Sequence, residues 1–282
     1  MWMTPLFAAL LCGAAEPPRA DSPKAPAAVA AQTSYSDLVD LAESAPLVIR
    51  ARVRSAVRVE PARAPGLAAG RARLYLEGKT EALLFGAAPV GESLHYLADV
   101  PLDAKGKPPA LKKKSVLLFA RRVAGHPGEL QLVAPDAQLA WTAALEAKLR
   151  SVLTELVSPA APRRIATVRE AIYVPGALAG EGETQIFLAT PDGAPASLTI
   201  VHRPGEAPQW SASFSEVLDP SGRPPPHETL AWYRLACFLP RSLPEGANVS
   251  ESDADKAQAE ADYVQVLKDL GDCGRLRKAK RP

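Results

Sequence analysis

The fold of the N-terminal half follows from one stretch, Leu47-Val-Ile-Arg-Ala-Arg-Val-Arg-Ser-Ala-Val-Arg-Val59. Alternating apolar residues predict a β-strand whose buried face holds Ile49, Ala51, Val53, Val57 and Val59. Arginines fill the positions between them and predict a charged outer face. Such a row either binds phosphate or another polyanion, or lies in solvent paired with acids on neighbouring strands. Arg50, Arg52 and Arg54 are therefore candidates for a binding surface.

Short apolar segments on both sides of this strand predict a small antiparallel barrel. Ser34 and Asp37 resemble a capping box that begins a helix, and Pro46 ends that helix. Downstream, apolar segments with the length of strands cover residues 71–77, 81–85, 92–102, 115–122 and 129–134. About five strands after a capped helix are typical of a small barrel.

The order of these segments resembles the OB-like, netrin-module-like barrels of exported bacterial proteins. The resemblance covers residues 34–135 and rests on Ala45-Pro-Leu-Val-Ile-Arg-Ala-Arg-Val53, Arg73-Leu-Tyr-Leu-Glu-Gly78 and Lys114-Ser-Val-Leu-Leu-Phe-Ala120. Cysteines that such modules carry are absent from this segment. The resemblance implies a barrel fold and no particular ligand, because one fold supports many functions.

A helix predicted over residues 135–157 completes the first half, and the proline-rich residues 158–163 form a boundary. Four strand-like segments then predict an antiparallel meander over residues 165–174, 184–190, 196–202 and 209–218. Two helices follow, over residues 228–239 and from about 252 to 270. We therefore expect an α+β protein with an OB-like barrel and flanking helices over 33–158. The second half, 163–273, is an antiparallel sheet packed by two C-terminal helices.

The first fifteen residues resemble a secretory signal, with an apolar stretch over residues 6–11 followed by small residues. No Lys or Arg precedes the stretch, so a frayed hydrophobic terminus is the alternative. Cys12 would be a lipidated residue only if Leu11 were tolerated where lipoprotein signals carry a small residue. Residues 16–32 are rich in Pro and Ala and predict a flexible linker. No later segment is apolar enough to cross a bilayer, and we expect an exported, periplasmic or secreted protein.

The cysteines of the mature chain would then be Cys237 and Cys273. Free thiols rarely persist in oxidising compartments, so the pair predicts a disulfide between the last two helices. In the chain-entropy model such a crosslink contributes roughly 3–4 kcal/mol to stability. A metal site or a redox couple would require ligands at tighter spacing, which the sequence lacks.

The charge pattern excludes one class of partner. The chain of 282 residues has a net charge of only +2. Residues 274–282 form a basic tail with five Lys and Arg and no acid. The tail either touches an anionic surface or is a solvated terminus. A nearly neutral body with a short basic tail is atypical of a nucleic-acid binder. Expected partners are a protein or an envelope polymer.

No motif of catalytic, cofactor-binding or metal-ligating residues appears in the sequence, so we predict no such residues and no cofactor. Ser211, Ser213 and Ser215 alternate with apolar residues along one predicted strand. This hydroxyl row either binds a glycan or a peptide edge, or is a solvated sheet face. The expected function is a non-enzymatic binding or envelope-associated accessory module. The alternatives are a periplasmic hydrolase whose residues converge from separate strands, and a protein inhibitor.

Overall fold

The structure, a computed structural model, describes Met1 and residues 33–87, 89–215 and 222–277. The predicted signal segment, the predicted linker over 16–32 and Cys12 lie outside the described residues. The last five residues of the predicted basic tail, 278–282, lie outside them as well.

The elements of the first half are α1 (Tyr35–Ser44), β1 (Leu47–Arg58), β2 (Arg71–Phe85), β3 (Ser93–Pro101), β4 (Ser115–Arg122), β5 (Glu129–Leu132), β6 (Gln138–Ala140) and α2 (Ala143–Val157). Those of the second half are β7 (Thr167–Pro175), β8 (Gly182–Ala189), β9 (Ser197–His202), β10 (Gln209–Ser213), α3 (Leu230–Ala236) and α4 (Asp253–Leu270). The protein is α+β, as the sequence predicts.

Five strands of the first half close into a barrel in the order β1-β2-β3-β5-β4, with β4 returning to β1. Four of the five pairings are antiparallel, whereas β3 and β5 run parallel. The closed five-strand barrel is consistent with the predicted OB-like fold. β6 pairs with Val116–Leu118 of β4, on the edge whose other end pairs with β5, and is not a member of the closed ring.

Closure depends on the length and curvature of β1. Its first half pairs with β4, while nearly its whole length pairs with β2. Register shifts along the β2 pairing, one of them between Val53 and Ser55 opposite Gly78, allow the strand to bend. The alternation read from the sequence holds as far as Val53, because Ile49, Ala51 and Val53 are at most 1% exposed. The prediction that Val57 is buried is wrong: beyond the register shift between Val53 and Ser55 it is 61% exposed, because the irregularity changes which side chains face the core.

Helix α1 packs against α2 and β4 and buries Leu38 and Val39 completely. Ser34 caps it, since its hydroxyl accepts a hydrogen bond from the amide of Asp37 at 3.1 Å. Asp37 supplies no reciprocal bond. Its carboxylate accepts instead from the backbone amides of Leu276 and Arg277, so the predicted capping box is half used.

The helix predicted over residues 135–157 begins too early. Gln138–Ala140 form strand β6 beside β4, and the helix starts at Ala143. Two features move the boundary. The carbonyl of Ala137 and the amide of Trp141 are bound by β4, at 3.1 Å each, and the hydroxyl of Thr142 caps the helix by accepting a hydrogen bond from the amide of Leu145. Sheet pairing thus overrides the helical periodicity of the first positions.

The second half forms an antiparallel sheet in the order β10-β9-β8-β7. The edge at β7 is covered by a short parallel bridge between Ala171 and Asn248. α4 packs against β7, and α3 packs against α4 and α2. The last predicted strand is shorter than expected, since β10 ends at Ser213, and residues 216–218 of that prediction lie outside the described residues. Within the described part of the chain, none of the helices has both the length and the apolarity needed to cross a membrane.

A disulfide joins Cys237, at the end of α3, to Cys273, just after α4. Residues 271–277, here called the C-terminal strap, then run along α1. Ser36 donates to the carbonyl of Cys273, and Arg275 forms an ion pair with Asp40 at 2.6 Å. The interpretation of the tail as a solvated terminus is therefore wrong for the residues of the strap.

Candidate binding site on the barrel face

The candidate site lies on the outer face of β2 and β3, where side chains that alternate with the barrel core point away from it. Antiparallel register places Arg73 opposite Asp99, Tyr75 opposite Leu97, and Glu77 opposite His95. Each pair is therefore within reach of cross-strand contact. The intervening residues Leu74 and Leu76 fill the barrel interior.

An apolar row crosses three adjacent strands of this face. Val57 on β1 pairs with Tyr75 on β2, which pairs with Leu97 on β3. Their exposed fractions are 61%, 46% and 47%. The ring of Tyr75 also lies nearly parallel to the imidazole of His95, with centroids 5.9 Å apart. Apolar side chains grouped in this way on a barrel surface mark a binding surface more often than isolated ones do.

A groove of about 640 Å³ opens over Tyr75 and Leu97 of this row. Its floor is formed by β2 and β3, and its wall by β5 with the residues that follow β5, up to Pro135. Polar side chains at the rim include Glu129 and Gln131 on β5 and Arg121 on the adjacent strand β4. The volume lies within the range of about 300–1,000 Å³ that ligand sites usually have.

Arg73 and Asp99 form a bidentate ion pair that fixes one end of the groove. The Nε and Nη2 atoms of Arg73 donate to the two carboxylate oxygens of Asp99 at 2.7 and 2.9 Å. The hydrogen bonds to Asp99 raise the pKa of Arg73 above its ordinary value, so its guanidinium stays charged. Arg73 also donates to the carbonyl of Pro65 at 3.1 Å, which ties the loop after β1 to the groove.

The charges that line the groove balance. Arg73 is matched by Asp99, and Arg121 is matched in number by Glu129. Arg121 forms no ion pair with any residue in the described part of the chain, so its guanidinium remains available to a ligand. The groove therefore combines an apolar floor with donors and acceptors at its rim and no net charge.

The arginine row of β1 lies on another part of the barrel surface, and acids surround it. Arg50 pairs with Glu146 at 2.8 Å and with Glu81 at 3.4 Å. Arg52 lies 3.9 Å from Glu81. Arg54 lies 3.8 Å from Glu77 and 3.6 Å from Glu92. A polyanion at this row would compete with the carboxylates already there.

The serine row lies in the second half, far along the chain from the arginines, and the fold does not join the two. Ser211 pairs with Thr199 on the outer face of the sheet. Ser213 is buried, and its hydroxyl bonds to the backbone of Ser215 at 3.0 Å, where the strand has ended. Ser215 lines a second cavity of about 550 Å³ with Arg169 and Phe187. The three hydroxyls therefore do not form one continuous exposed row.

One histidine does meet an acid and a hydroxyl. His202 lies 2.9 Å from Asp262, and Thr184 donates to the same carboxylate oxygen. A nucleophile needs a hydrogen bond to the base, whereas Thr184 bonds to the acid and is fully buried. This cluster fastens α4 to β8 and β9. Among the described residues no group of His, Cys, Asp and Glu is placed to hold a metal ion.

Sequence reasoning did not select Tyr75, His95 or Leu97. Leu74 and Leu76 flank Tyr75 in the predicted strand over residues 71–77, so strand alternation with the leucines inside points Tyr75 outward, and an outward aromatic residue beside charged ones was the available signal. Arg121 could not be selected, because its position in the groove depends on how β5 pairs with β3 and β4.

Comparison of the sequence with protein-family models found no match. Comparison with the curated proteins likewise found no similar chain.

Proposed function

We propose that this protein is a non-enzymatic binding module whose ligand lies in the groove over β2, β3 and β5. The observation that carries the proposal is the exposure of Tyr75, an aromatic ring left 46% accessible at the centre of an apolar row. Strands β2 and β3 of OB-like barrels are also the usual place for extended ligands.

We further propose that the protein acts after export, as an envelope-associated accessory module. The signal-like start of the sequence supports this location, and so does the disulfide between Cys237 and Cys273, because structural disulfides accumulate in oxidising compartments. The partner would be an envelope polymer or an envelope protein. A relationship to netrin-like modules is part of the same proposal and rests on the strand pattern.

The proposal is tested with Tyr75→Ala, which removes the ring from the groove. Truncating a central aromatic contact costs about 2 kcal/mol of binding free energy, or roughly a thirty-fold change in Kd. Immobilised wild-type protein should retain a component of an envelope extract that the variant releases. Tyr75→Phe keeps the ring and should retain it.

Val264→Ala is the matched control, since Val264 is 60% exposed on α4 and lies outside the groove. It should behave as wild type. Because Tyr75 is on the surface, its truncation should leave the melting temperature within a few degrees of wild type. Equal retention by Tyr75→Ala and wild type, with both folded, would refute the proposed site.

A further inference from the structure

We infer that the groove takes a neutral sugar chain, an inference that rests on the proposed function and names its ligand class. Three properties of the groove support it: the strands of its floor have no full-length free edge, its centre is apolar, and its polar rim carries no net charge.

The closed barrel excludes a peptide that binds by adding a strand. β2 is hydrogen-bonded to β1 and β3, β3 to β2 and β5, and β5 to β3 and β4. Strand addition requires an unpaired edge with free N–H and C=O groups. Beyond the two residue pairs that join β3 to β5, the groove offers no edge long enough for an added strand, so a ligand is held mainly by side chains.

The centre of the groove suits the apolar face of a sugar ring. A pyranose presents C–H groups on one face and hydroxyls around its edge. Tyr75 and Leu97, which both line the groove, offer a surface of matching character, and the ring of Tyr75 combines an apolar body with a polar tip. The Tyr75 ring is held beside the His95 ring, so less rotamer freedom is lost when a ligand stacks on it.

The rim suits hydroxyl groups, each of which both donates and accepts a hydrogen bond. Arg121 is a donor, Glu129 is an acceptor, and Gln131 is both. Two arginines and two acids line the groove, so its side chains sum to zero charge with His95 neutral. A polyanion would gain little here, because its binding depends on an excess of Lys and Arg.

The test is a titration of the full chain with neutral oligosaccharides of glucose, N-acetylglucosamine and galactose, followed by isothermal calorimetry. At least one should bind, and Tyr75→Ala should weaken it by about thirty-fold. Leu97→Ser is a second variant that should also weaken it, while Val264→Ala should not. Binding should change by less than about two-fold between low salt and about 0.5 M NaCl, because stacking and neutral hydrogen bonds are barely screened.

Oligogalacturonate and heparin are titrated in the same way as acidic saccharides. If they bind and the neutral sugars do not, with affinity that falls steeply as salt rises, the inferred ligand class is wrong. If no saccharide binds while Tyr75 still controls retention from envelope extracts, the ligand class is again wrong and the proposed site stands. If no saccharide binds, and Tyr75→Ala retains the same components of an envelope extract as wild type, the proposed function is wrong as well.

Discussion

Glu146 is the residue on which the outer layer of the barrel depends most. Its carboxylate accepts hydrogen bonds from Arg50 at 2.8 Å, from Trp141 at 2.6 Å and from Arg150 at 2.8 Å. The residue is only 7% exposed. One acid at the start of α2 thus joins that helix to β1 and to the turn that precedes it.

We expect Glu146→Gln to destabilise the protein by about 2–3 kcal/mol, because a neutral amide replaces a buried acceptor of charged hydrogen bonds. Denaturant unfolding measures the loss. Glu206→Gln is the matched control, since the pair of Glu206 with Arg203 is exposed and should contribute well under 1 kcal/mol. Equal stability of the two variants would show that Glu146 does not hold these elements together.

The contribution of Glu146 should depend on pH. Burial alone would raise the pKa of this carboxyl, but the hydrogen bonds from Trp141, Arg150 and Arg50 outweigh it and hold the pKa below the ordinary value of 4.5. A lowered folded-state pKa means that the stabilisation is complete above the unfolded pKa and is lost as the pH falls through the folded one. The stability difference between wild type and Glu146→Gln should be constant near neutral pH and shrink below about pH 4.5. A difference that grows on acidification would contradict this.

At the scale of elements, the C-terminal strap fastens the two ends of the described chain together. Arg275 bonds to both carboxylate oxygens of Asp40, and its Nη2 lies 3.2 Å from the hydroxyl of Tyr233. The carboxylate of Asp37 accepts hydrogen bonds from the backbone amides of Leu276 and Arg277 at 3.1 and 3.0 Å. Since both acids lie on α1, the strap positions that helix against α3.

Replacing both Cys237 and Cys273 by Ser should lower stability by about 2–4 kcal/mol and free the strap. Hydrogen exchange offers a local readout, because the amides of Leu276 and Arg277 are protected only while they donate to Asp37. Arg275→Ala should speed exchange at the same two amides with the disulfide intact. Arg223→Ala, outside the strap, is the control. Unchanged protection in Arg275→Ala would show that the ion pair with Asp40 does not hold the strap on α1.

At the scale of the whole molecule, the barrel and the second sheet share one hydrophobic core. Contacts across the predicted boundary are also polar and aromatic. Lys148 forms an ion pair with Glu228 at 2.7 Å. The carboxylate of Glu155 accepts a hydrogen bond from the backbone amide of Leu230 at 2.9 Å. The ring of Tyr35 packs edge-on against Trp232. The residues from Thr33 onward accordingly form one compact unit.

We therefore expect a single cooperative unfolding transition. A variant that keeps Trp141 as its sole tryptophan reports on the barrel half, and one that keeps Trp210 and Trp232 reports on the second half. In each variant the fluorescence midpoint should coincide with the circular dichroism midpoint in urea. Two separated transitions would show that the halves unfold independently.

Several features were predictable because their causes are local. Alternation along β1, β3 and β8, the capping serines Ser34 and Ser252, and the prolines that follow α1 and α3 act within a few residues. The sites were less predictable. The outward position of Tyr75 follows from local alternation, but the groove above it also needs β5, which reaches β3 through a pairing between residues far apart in the chain.

The amino-acid order alone therefore specified an α+β chain with a small barrel, a second antiparallel sheet and one cysteine pair. Periodicity, capping and cysteine chemistry are properties of neighbouring residues or of composition. Three-dimensional packing decided that residues 138–140 pair with β4 instead of extending α2, that the strap docks on α1, and that Tyr75, Leu97 and Arg121 meet in one groove. These outcomes depend on hydrogen bonds and contacts between segments that are far apart in the chain. Such contacts form only when the barrel closes.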